Sequence, residues 1–136
     1  MAKTVLLVPR SEMLMYAKKI AHHYYLDFLY SKVIKTDSAE EEADIAVQAG
    51  AEIIIARGLQ ATRIRNHVSV PVVEILLTGQ EMGHLIIKAK AQCETPKPKI
   101  GVIGFANMIC DMSSLDELYD VRVQEYFISK PDELQG

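Results

Sequence analysis

The sequence predicts an α/β fold built on a parallel sheet. Three observations carry this. Short apolar runs (Thr4–Val8, Ile53–Ala56, Val72–Leu77, Ile100–Phe105) alternate with segments of helical periodicity. The runs are continuous rather than alternating, which marks strands covered on both faces. Capping residues open several of the helical segments, and glycine or proline closes them. Strands that alternate with helices imply parallel pairing through right-handed crossovers.

Thr4-Val5-Leu6-Leu7-Val8 reads as the first strand, and Pro9-Arg10-Ser11 breaks it. The helix after it carries Leu14, Ala17, Ala21 and Tyr24 at helical spacing, with Glu12, Lys18, Lys19 and His22 on the other side. Phe28 to Ile34 reads as a second, edge-like strand. Ser38-Ala39-Glu40-Glu41 has capping-box spacing: the serine accepts from a free backbone amide and the acid reaches back. Its helix buries Ala43, Ala46 and Val47 and stops at Gly50, which suits the left-handed cap. Ile53 to Ala56 is the third strand, Leu59 to His67 a short helix, and Val72 to Leu77 the fourth strand. Thr78-Gly79-Gln80-Glu81 is a second capping box. Its helix sets Met82, Leu85, Ile86, Ala89 and Cys93 on one face.

Glu94-Thr95-Pro96-Lys97-Pro98-Lys99 interrupts this rhythm, because two prolines in a charged stretch cannot continue a helix. The expected organisation is a Rossmann-like lobe at 1–93, a linker at 94–99 and the start of a second α/β lobe at 100–136. In that lobe Ile100 to Phe105 is a strand, Ser114-Leu115-Asp116-Glu117 caps a short helix with Leu118 and Tyr119, and Val121 to Ile128 is another strand. Ser129-Lys130-Pro131-Asp132-Glu133 has the composition of a helix start. The chain stops soon after, so the second lobe is read as incomplete, a fragment of something longer or a unit finished by another chain.

The 136 residues are 49% apolar, enough for a packed core, and the net charge of −3 gives no electrostatic case for binding DNA or an acidic membrane. Cys93 and Cys110 lie in apolar, helical-looking segments without a CxxC, and read as buried free thiols. No apolar run reaches membrane-spanning length and no signal peptide precedes Val5, so a cytoplasmic location is expected. His22, His23, His67 and His84 lack a second ligand at zinc-site helical spacing, so neither a metal nor a cofactor is expected.

The candidate site is set by the strand ends. In a parallel sheet, ligands bind at the carboxyl edge of the strands. Arg10 and Ser11 come after the first strand, Arg57 and Gly58 after the third, Thr78 and Gly79 after the fourth, and Asn107 after the fifth. They are expected to share one rim. Guanidinium donates two parallel hydrogen bonds to a carboxylate or phosphate, and helix amino ends favour anions. The ligand expected is a small anionic effector, most simply a carboxylate. Plainer roles exist: Gly58 serves a turn, Thr78 and Glu81 a capping box, Asn107 a helix cap. Glu74, inside an apolar strand, calls for an ion pair with Arg57 or Arg63.

Three segments in order (Ala49 to Gly58; Val70 to Ile75 with Thr78-Gly79; Lys99 to Asn107) resemble the amino-terminal sensory domain of propionate-catabolism-activator-type transcription regulators. The resemblance runs from Val5 to Ile128. It implies a two-lobed fold similar to periplasmic binding proteins, with the effector in an interlobe cleft. It further implies a sigma-54-dependent activator that reaches polymerase and DNA through an ATPase domain and a helix-turn-helix domain outside these residues. The chain departs from the family pattern at Leu59, where a second glycine is usual, and at Glu81, where aspartate is usual.

Other readings fare worse. A phosphoacceptor receiver domain needs acids where this chain has Pro9-Arg10-Ser11 and Arg57-Gly58. The glycine fingerprint of a dinucleotide enzyme and the serine elbow of a hydrolase are missing. Cys110 has no nearby histidine to activate it. An isomerase- or racemase-like enzyme is the enzyme alternative, and an interaction or dimerisation module, with the chain as a homo-oligomer, is compatible with sensing.

Overall fold

The computed structural model describes residues 1–105, 112 and 114–128, with backbone alone at Phe105 and Ile128. By its contacts the chain divides into two compact units, Met1–Ile75 and Leu76–Gly136.

The first unit is a four-stranded sheet with helices. In chain order it contains β1 (Thr4–Val8), α1 (Ser11–His23), β2 (Tyr30–Val33), a 3-10 turn (Thr36–Ser38), α2 (Ala39–Gln48), β3 (Ile53–Arg57), α3 (Gly58–Arg65) and β4 (Val72–Ile75). The spatial order is β2-β1-β3-β4, and every pairing is parallel. Val5 lies beside Tyr30 on one side and Ile54 on the other, and Ile54 in turn beside Val72. As expected, the short second strand is an edge.

Period-2 alternation divides the strand side chains between two faces. Val5, Leu7, Ile54 and Ala56 form one core with Ala39, Ala43 and Ala46 of α2 and Ala61 and Ile64 of α3. The alanines let α2 approach the sheet closely, and all three are 0% exposed. Leu6 and Val8, on the opposite face, are also buried. Gly50 ends α2 with φ 101°, the left-handed cap expected there.

Some local expectations fail. Ser38 makes no capping bond. It closes a 3-10 turn with φ −102° and ψ 8°, not the extended backbone that aims a cap side chain at the helix amides. Val47 and Tyr24, expected inside, are exposed, because alanines fill the inner faces of α2 and α1.

The acids of α2 instead reach outward. Arg63 of α3 donates through Nε to Glu40 at 2.7 Å and stands 3.8 Å from Asp37, while Lys32 pairs with Glu42 at 2.9 Å. The Arg63 bond holds the Glu40 carboxyl below its ordinary value of 4.5. A depressed carboxylate stabilises the fold above its unfolded pKa, and that contribution is lost as pH falls through the folded value. With each partner a third exposed, it amounts to about 0.2–1 kcal/mol. Urea unfolding at about pH 6 and about pH 3 should therefore show a smaller acid loss in Glu40→Gln than in wild type. An identical loss in both would remove Glu40 from the acid response.

The second unit contains α4 (Gly79–Ala91), β5 (Lys99–Phe105), α5 (Leu115–Tyr119) and β6 (Arg122–Ile128). β5 and β6 pair in parallel over seven residues, Lys99↔Arg122 to Phe105↔Ile128. Met82 and Ile86 of α4 share a core with Ile100, Met112, Leu115 and Val121. This places α4 with the second unit, so the contact boundary falls at Ile75/Leu76 and the proline segment 94–99 lies within a unit. Prolines end a helix without separating what it packs on. Ser114 makes no capping bond; Asp116 Oδ1 instead accepts from the Val123 amide at 3.1 Å and ties α5 to β6. Cys93 is exposed, not buried: it lies just beyond the last turn of α4, with Sγ directed to the Ala89 carbonyl at 3.5 Å. Cys110 and the expected helix start at Ser129 lie outside the described residues.

Candidate functional site

The strand order fixes where a ligand site can form in the first unit. From β1 the chain passes through α1 outward to β2; from β3 it passes through α3 outward to β4, in the opposite direction. Between the carboxyl ends of β1 and β3 the winding therefore reverses, and in open parallel sheets that reversal opens a crevice for ligands. Arg10 and Arg57 flank it.

Arg10 is the residue before α1, with φ −140° and ψ 146°. Ser11 is the first residue of that helix. Arg57 ends β3 and precedes α3, with φ −127° and ψ 141°. Gly58 begins α3 with φ 58°, a left-handed conformation in which any side chain would be strained. Neither Arg10 nor Arg57 caps its helix through its side chain. A guanidinium carries no acceptor for an amide, so the first turns of α1 and α3 present their amide donors at the positive ends of the helix dipoles without help from these two side chains. The backbone brings Arg10, Arg57 and two helix amino ends to one edge of the sheet, a set of donors whose chemistry suits an anion.

Thr78 and Gly79 belong to the second unit, and a different geometry holds them. Glu81 donates its amide to Thr78 Oγ1 at 3.2 Å, and Glu81 Oε2 accepts from the Thr78 amide at 2.7 Å. This is the expected capping box, complete. The Glu81 carboxylate already complements the amino end of α4. Asn107 lies outside the described residues. Glu74 does form an ion pair, with Arg65 at 3.4 Å, while Arg63 engages Glu40 and Asp37 instead.

The sequence reading missed Gln60. It is 3% exposed, and the one buried polar side chain among the described residues. From the first turn of α3 its Nε2 donates to the Ile34 carbonyl at 3.0 Å and approaches Thr36 Oγ1 at 3.4 Å. Gln60 thereby ties the turn after Arg57 to the end of β2. Its Oε1 is buried without a hydrogen-bond partner, as is Tyr30 Oη. Burial raises the Tyr30 phenol pKa, with the Glu42 charge adding to it. The available signal was positional: Gln60 shares a helix face with Ala61 and Ile64.

Among the described residues no group of three or more His, Cys, Asp or Glu could hold a metal ion. No helix among them is long and apolar enough to cross a membrane.

Comparison with known proteins adds two findings. Residues 29–136 match the family model described as Propionate catabolism activator. The crystal structure of an NtrC family transcriptional regulator from Clostridium acetobutylicum is similar, with a TM-score of 0.72 and 22% sequence identity over 97% of this chain and 67% of that one. At that identity the likeness is one of fold. No curated protein matches the chain.

Proposed function

The chain belongs to the propionate catabolism activator family, and we propose that it is the effector-sensing domain of a sigma-54-dependent transcriptional regulator, holding a small anionic metabolite without transforming it. The observation that carries this reading is the placement of Arg10 and Arg57 at the carboxyl ends of neighbouring strands, each immediately before the amino end of a helix. A carboxylate seated there would accept from the guanidinium groups and from first-turn amides of α1 and α3, with Ser11 beside it and Gly58 adding no side chain. Such a site binds and orients. This donor set contains no histidine or carboxylate to act as a general base on the Ser11 hydroxyl. Thr78, Gly79 and Asn107 remain the second unit's candidates. Contact with DNA and polymerase would pass through other domains of such a regulator.

Calorimetry with a panel of mono-, di- and tricarboxylates tests the reading. Arg57→Ala should weaken the best-binding acid about 10- to 100-fold, the worth of one charge-assisted hydrogen-bonding group. Arg57→Lys should recover part of the loss. Unchanged affinity in Arg57→Ala, or no acid bound by wild type, would reject it.

A further inference from the structure

The outward face of α1 is apolar where a solvated helix face would be charged. Met15, Tyr16, Ile20 and Tyr24 are 67, 68, 58 and 65% exposed. The inner face is already satisfied, with Ala21 buried and Leu14 and Ala17 half-buried. Met15 and Tyr16 line a hollow of about 200 Å³, with Glu12 at one end and Lys19 at the other. Neither of these charges has an ion-pair partner among the described residues.

Along the helix, the face runs acid, apolar, apolar, base at positions i, i+3, i+4 and i+7. A two-fold axis passed between Met15 and Tyr16 lays this pattern onto itself. Each Glu12 then meets the other copy's Lys19, and Met15 and Tyr16 pack against their counterparts. Self-complementarity of this kind is what an isologous dimer interface requires. We propose that this face is a self-association surface whose occupant is a second copy of this chain, joined through antiparallel α1 helices. The thirteen residues of α1 span about 20 Å, so one helix pair buries less than the roughly 1,200 Å² of a standard interface. The dimer is accordingly weak and concentration-dependent.

Sedimentation equilibrium at low ionic strength, where exposed charges are least screened, tests it. Wild type should dimerise with rising concentration. Glu12→Lys places two lysine–lysine contacts in the interface, and Lys19→Glu places two glutamate–glutamate contacts. Each variant alone should dimerise about tenfold more weakly. An equimolar mixture should recover wild-type association, since the heterodimer carries only opposite charges, and this recovery also shows that both variants are folded. A wild type that stays monomeric at every accessible concentration overturns the proposal. So does a dimer indifferent to both substitutions, which assigns association to another surface, or a mixture that associates no better than its components.

Discussion

Ile54→Ala should remove about 2–5 kcal/mol from the stability of the first unit. Ile54 sits at the centre of β3, beside Val5 on one side and Val72 on the other, and is 0% exposed. Its side chain enters the core made with α2 and α3, whose alanines already lie close to the sheet. They have few rotatable atoms with which to collapse into a void, so the cavity persists and the cost lies toward the upper end. Against the 5–15 kcal/mol typical of whole domains this is a large share. Thermal unfolding should fall by more than about 10 °C. Ile54→Val should cost only about 0.5–1.5 kcal/mol. Val73→Ala, one strand over and 51% exposed, should stay within about 0.5 kcal/mol of wild type. Equal losses for Ile54→Ala and Val73→Ala would show that the sheet does not pack as described.

In the second unit the largest effect should come from Gly83→Val. Gly83 is buried in α4 under the ring of Tyr119. A Cβ there would overlap the Tyr119 hydroxyl and stand 2.8 Å from Cζ. Relief requires the half-buried ring to turn away, because the backbone that carries it is held. The Tyr119 carbonyl accepts from Lys90 Nζ at 2.8 Å, and Asp120 next to it adopts φ 51°, which fixes the end of α5. Overpacking of this kind costs about 1–3 kcal/mol. Gly83→Ala should cost less, since alanine regains about 1 kcal/mol of helix propensity over glycine. The diagnostic is a double-mutant cycle with Tyr119→Ala. Removing the ring should rescue Gly83→Val, with a coupling of about 0.5–3 kcal/mol. Strictly additive losses would mean that the two residues do not meet.

Much of this architecture was legible in the residues. The apolar runs at Thr4–Val8 and Ile53–Ala56 mark buried central strands, and their continuity reflects cover on both faces. Gly50 and the Thr78–Glu81 box also act as their identities suggest, because each depends on only a few neighbouring atoms. Ser38 and Ser114 show the limit of such signals. A capping serine needs extended backbone as well as spacing, and both residues take near-helical angles in the turns that lead into α2 and α5. Cys93 and Val47 fail for another reason: helical spacing identifies a face, but not how far that face is covered. The grouping of α4 was hidden because Pro96 and Pro98 signal a change of direction, whereas the partners of Met82 and Ile86 come from later in the chain. At the candidate site, the placement of Arg10 and Arg57 at strand ends was readable. Gln60 was not, since its partners Ile34 and Thr36 come from a distant segment.

The order β2-β1-β3-β4 also bears on how the first unit is made. Its central strand, β1, leaves the ribosome first, yet β3 arrives only after β2 and α2 have been synthesised. The nascent β1 therefore carries Val5, Leu6, Leu7 and Val8 with one edge unzipped until the middle of the chain emerges. Nonlocal parallel pairing of this sort slows folding and lengthens the exposure of sticky edges.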